Sequence, residues 1–149
     1  MTTSPEEMAR RCFRLALGAA KRRDLNAALG YASFACVLDP GHGDAARLEE
    51  ICRYELGEET GAIRDEGFER LALLAGQKKW KKAANAARDL PGQNVRLLNI
   101  QGCLWALAKH YVQAAGCFAG ALARDRGNRL AAEALAELGR RRVCFWRFS

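Results

Sequence analysis

Apolar positions recur three and four residues apart along most of the chain, and short polar segments rich in Gly, Pro and Asp interrupt them. That spacing predicts a series of amphipathic helices. Ser4-Pro5-Glu6-Glu7 combines an N-cap residue, a proline at the first helical position and a glutamate at the third, a capping box that opens a helix running to about Arg22. Asp24 can cap a second helix, which must stop near Leu38 because Asp39-Pro40-Gly41 follows. Gly43-Asp44 opens a third, to about Leu56, and the stretch Gly57–Gly61 breaks it. A fourth helix is expected to end at Gly76, and a short fifth runs from near Lys79 to Leu90-Pro91-Gly92. Asn94 caps a sixth, ending near Lys109; a seventh covers about Tyr111 to Arg124; Gly127-Asn128 opens an eighth, to about Arg142. Connections this short make neighbouring helices antiparallel.

Composition sharpens the class. The chain has 28 Ala and 19 Leu but only 4 Val, 3 Ile and 3 Thr, so strong helix formers dominate and the β-branched residues that strands prefer are scarce. An all-α fold is expected. With 149 residues, half of them apolar, the chain can bury a single core without disulfides and is too apolar for wholesale disorder.

Large and small residues alternate in a recurring order. In residues 95–128, Leu98, Trp105, Tyr111 and Phe118 supply bulk, while Gly102, Ala114 and Ala121 let two helices approach, before the turn Asp125-Arg126-Gly127-Asn128. Residues 9–42 repeat the order with Leu15, Ala16, Ala19, Leu25, Ala28 and Ala35, closing at Asp39-Pro40, although small Ala19 occupies a place where an aromatic is common. A third copy, 65–92, reads Phe68, Leu71, Ala72, Ala75, Trp80, Ala83 and Ala87, its second helix shortened by Pro91. This pattern resembles the tetratricopeptide repeat, a helix-turn-helix unit of about 34 residues. Residues 43–62 match poorly and read as a degenerate helix or connector; 129–142 resemble the helix that caps such arrays, and 143–149 form an aromatic tail.

The resemblance implies a right-handed α-α superhelix of about eight helices, in which each hairpin buries its apolar face against the next. It also implies a non-catalytic scaffold that binds a protein or peptide segment in a concave groove. The groove-facing positions carried over from the family are Arg10, Phe13, Leu17 and Lys21 in the first copy, Glu66 and Glu69 in the degenerate one, and Arg96, Asn99, Cys103 and Leu107 in the best one. Phe13, Leu17 and Leu107 would make apolar contacts, Asn99 would hydrogen-bond a backbone, and Arg10, Lys21 and Arg96 would meet carboxylates. The family's carboxylate clamp needs a Lys and Asn set across adjacent hairpins, which is not present here. A small bacterial secretion or assembly chaperone is one form of such a scaffold.

Charge adds a rival reading. Residues 43–76 are acidic and residues 77–149 strongly basic, within an overall charge of +7. Lys78, Lys79, Lys81 and Lys82 flank Trp80, and Arg140, Arg141 and Arg142 precede Phe145, Trp146 and Phe148. Basic residues beside aromatics can bind RNA or DNA through phosphates and stacking, though Trp80 also sits at a packing position of its repeat. The tail either folds back on the array or docks elsewhere, on a second copy for instance. Catalytic and metal chemistry find no support: His42 and His110 lie in turns, and none of the six cysteines forms a C-x-x-C pair. No cofactor is expected. An even number of cysteines also permits disulfides, but placement on apolar helix faces favours reduced core thiols. With an N-terminus that lacks a secretory apolar region, this predicts a cytoplasmic protein.

Overall fold

The computed structural model describes residues 3–57, 66–91 and 93–139. Every regular element among them is helical: α1 (Pro5–Lys21), α2 (Leu25–Leu38), α3 (Gly43–Glu55), α4 (Glu66–Gly76), α5 (Trp80–Arg88), α6 (Val95–Leu107), α7 (Tyr111–Arg124) and α8 (Arg129–Gly139). The fold is all-α. The triple arginine, the aromatic tail and any extension of α8 lie outside the described residues, as does the side chain of Glu66.

Helix ends form where side chains satisfy the first-turn amides. The Ser4 hydroxyl accepts from the Glu7 amide at 3.1 Å, and Asp24 accepts from Ala27 at 3.2 Å. Asn94 caps α6 through the Leu97 amide at 2.9 Å, and Asn128 caps α8 through the Ala131 amide at 3.0 Å. His42 does the same for α3, its Nδ1 accepting from Ala45 at 3.1 Å while its ring lies 5.0 Å from that of Phe13. An accepting Nδ1 requires the neutral imidazole with its proton on Nε2.

The turns repeat. Arg23, Lys78 and Lys109 have φ of 60°, 59° and 65°, the left-handed region that glycine usually fills. In each case the next amide reaches back five residues: Asp24 to the Ala19 carbonyl, Lys79 to Leu74 and His110 to Trp105, all within 3.0 Å. These are three Schellman turns, between α1 and α2, α4 and α5, and α6 and α7. The closing turns match as well. Asp39 and Asp125 are both extended, with φ of −144° and −141°, and each carbonyl accepts from the amide three residues on, of His42 and Asn128. α2 and α7 are both 14 residues long, so the two hairpins share one register from turn to turn.

α1 packs on α2 and α2 on α3, each helix from α4 to α8 packs on the next, and α2 also packs on α4, α6 and α8. Stacking between successive hairpins alone would not bring α2 to α6 or α8. The run Ala27–Leu38 is buried without interruption. Beyond its first two residues α2 therefore has no solvent face, as expected of a helix that is apolar on every side. Small residues permit the approach: a Cβ on Gly30 would lie 2.8 Å from Leu130 Cδ1 of α8. One residue on, the Tyr31 hydroxyl donates to the Glu133 carboxylate of α8 at 3.1 Å. In the α6–α7 hairpin the equivalent close approach is Gly102, where a Cβ would lie 2.7 Å from the ring of fully buried Phe118.

Two stability predictions follow from this packing. Gly102→Ala should destabilise the protein by roughly 1–3 kcal/mol, because the ring of Phe118 has to shift. Gly116→Ala, in α7 with nothing within 4 Å of its Cβ, should stabilise it by about 0.5–1 kcal/mol; denaturant midpoints would read both signs. The second concerns alkaline pH. Burial, followed by the charge of Glu133, pushes the Tyr31 hydroxyl well above its usual range, and burial does the same to the Cys12 thiol. The folded state holds both protons after the unfolded chain has released them, at about pH 8.5 for the thiol and about pH 10 for the phenol. Their contribution to stability is thus complete below those values and is lost as pH rises beyond them. Tyr31→Phe should flatten the decline above about pH 10 and leave the thiol part in place.

Candidate functional site

The positions nominated from the sequence divide into open and covered groups. Arg10, Leu17 and Lys21 are exposed on α1, whereas Phe13 is half-buried against His42. With Arg14 they line one side of that helix. Glu69 is exposed on α4. On α6 the picture is different: Cys103 is fully buried, Asn99 is 3% exposed, and Arg96 and Leu107 are half-buried. The structure thus does not bring the first and third sets into one open trough; α2 is packed on α6. Lys78, Lys79, Lys81 and Lys82 are all exposed around the α4–α5 turn, and Trp80 between them is half-buried against the core.

Arg96 and Asn99 do meet at one place. A cavity of about 380 Å³ opens where the N-terminal turns of α2 and α6 converge with the cap of α8. α2 contributes Asn26 and Gly30, α6 contributes Arg96 and Asn99, and the segment from α7 to α8 contributes Arg124, Asp125 and Asn128. Hydrogen bonds fix its floor. The Asn128 side chain donates to Asp125 at 3.2 Å, and its Oδ1 accepts both the Ala131 amide and, at 3.2 Å, the Asn99 side-chain amide. Arg124 Nη1 donates to the Gln93 carbonyl at 2.8 Å, which ties the end of α7 to the start of α6.

Gln93 anchors the neighbouring turn. Its side-chain amide donates to the carbonyls of Ala87, Arg88 and Leu90 at 3.2, 3.1 and 2.7 Å, and its Oε1 accepts from Gln101 at 2.5 Å. This satisfies the carbonyls that the short helix α5 leaves at its C-terminus. A shallower groove of about 480 Å³ lies between α4 and α5, lined by Arg70, Lys82 and Asp89 among others.

Sequence reading overlooked Gln93, Arg124 and Asp125 as partners of Arg96 and Asn99. The turn Asp125–Asn128 was visible as punctuation, but nothing in local spacing brings Asn26 of α2 to it. Among the described residues Cys12, Cys36, Cys52 and Cys103 are buried and form no disulfide, and Cys117 is half-buried. Among the described residues no three His, Cys, Asp or Glu side chains are grouped to hold a metal, and no helix is long and apolar enough to cross a membrane. Comparison with family models, curated proteins and solved structures yields no match.

Proposed function

We propose that this chain is a non-catalytic helical-repeat scaffold of tetratricopeptide type that binds a protein or peptide segment. The observation that carries the reading is the repetition of turn geometry, with three hairpins turning on the same left-handed residue and two closing turns of the same shape. Units built alike in this way stack through alike faces, the principle of a superhelical array. Among the groove positions implied by the resemblance, Arg10, Leu17 and Lys21 of α1 are open. Arg10, Arg14 and Lys21 would meet carboxylates, with Leu17 supplying apolar contact, which fits an acidic segment carrying apolar side chains. The three hairpins fit a small bacterial secretion or assembly chaperone, and the buried thiols fit a reducing, cytoplasmic setting.

One observation favours a second reading, the binding of RNA or DNA: the four lysines around Trp80 are all exposed, on an unobstructed turn.

Affinity capture from the native lysate, using wild type and the double variant Arg10→Glu, Leu17→Asp, tests the first reading. Both positions are exposed, so the fold should persist. A protein retained by wild type should be held about tenfold less by the variant. Equal retention would remove the α1 face as the binding surface. Filter binding at low and moderate salt tests the second reading, and an absence of affinity for nucleic acid at low salt ends it.

A further inference from the structure

The cavity at the ends of α2, α6 and α8 is distinct from the α1 face, and its polar groups are arranged for a small ligand. Two helices point their N-termini at it with neutral caps: Asn94 on α6 and Asn128 on α8. Neutral caps leave the partial positive charge of those helix ends uncompensated. α2 adds a third N-terminus, though the Asp24 carboxylate that caps it offsets its charge. Arg96 and Arg124 line the same space. Arg124 spends one nitrogen on the Gln93 carbonyl and keeps its remaining N–H groups. The lining carboxylate, Asp125, is engaged by the Asn128 amide. The balance of charge favours an anion.

Asn99 specifies which kind of anion. Its side chain lines the cavity and is 3% exposed. The orientation of Asn128 is set at both ends, since its Oδ1 caps Ala131 and its Nδ2 donates to Asp125. Asn99 must therefore present Nδ2 to Asn128, which leaves its own Oδ1 buried with no donor. A buried amide oxygen without a donor is costly, and the ligand that relieves it must bring an O–H or N–H. A bare tetrahedral anion cannot do this. A hydrogen phosphate group can, because it presents anionic oxygens to the helix ends and arginines and a P–O–H to Asn99.

We infer that this cavity is a binding site for a protonated phosphate group, either inorganic phosphate or the terminal phosphate of a monoester, and that Asn99 selects it over sulfate. The site does not depend on the scaffold reading.

Calorimetric titration of the full chain near pH 6, where a monoester still carries an acidic proton, compares inorganic phosphate, O-phosphoserine and sulfate. Phosphate should bind about tenfold more tightly than sulfate, the difference that one added hydrogen bond makes. If O-phosphoserine binds at least as well as inorganic phosphate, the source is a monoester; if inorganic phosphate alone binds, it is the free ion; either supports the site. Arg96→Gln, at a half-buried position, should weaken all binding anions together. Asn99→Leu should lower phosphate affinity to that of sulfate and so abolish the preference between them, an effect that a merely structural Asn99 would not produce. Denaturation midpoints of both variants confirm that they are folded before titration. Equal affinity of wild type for phosphate and sulfate, no binding of any of the three, or a phosphate preference that survives in Asn99→Leu would each overturn the proposal.

Discussion

The burial of α2 on every side constrains all that surrounds it. From Ala27 to Leu38 every residue of this helix is buried, and α1, α3, α4, α6 and α8 all pack on it. Apolar burial of this kind is the dominant favourable term in folding. It is achieved here with small side chains, because α2 carries four alanines and a glycine, and close approach replaces bulk. Gly30 is a point of close approach, with the side chain of Leu130 occupying the space a Cβ would need. The Tyr31–Glu133 hydrogen bond sits beside it and gives the α2–α8 contact a polar latch.

The same constraint creates the cavity. Once α2 lies against α6 and α8, the beginnings of three helices are brought to one end of the molecule, and their polar first turns cannot close on one another as apolar side chains would. Asn94, Asn99 and Asn128 occupy that end, each using its amide for a cap or a lateral hydrogen bond. Charge and unsatisfied hydrogen-bonding capacity are thus concentrated at the place where packing leaves space.

Much of the fold was legible in the residues themselves. Ser4, Asp24, Asn94 and Asn128 announced helix starts by their own cap chemistry, and Asp39-Pro40-Gly41 announced a stop. Gly102 was readable as a point of close approach and Phe118 as bulk between the two helices, while their meeting came from the structure. These are local signals, decided within one or two turns of helix. The contact of α2 with α6 and α8 was not legible, since the apolar run of α2 shows that it is buried without saying against what. The candidate site depends on that contact. Arg96 and Asn99 were singled out through the resemblance, but the partners that give them meaning, Arg124, Asp125 and Asn128, arrive from another hairpin through tertiary packing. The left-handed turn residues were equally silent, because Arg23, Lys78 and Lys109 carry none of the glycine signature that usually marks such a conformation.

Native-state hydrogen exchange, resolved by residue, addresses the central claim most directly. If α2 is the element on which the others close, the amides from Ala28 to Leu38 should exchange only through global unfolding, while those of α1, α5 and α7 open at lower free energy. Exchange in α2 as fast as in α1 would show that the helix is peripheral to the cooperative core, and would contradict the account.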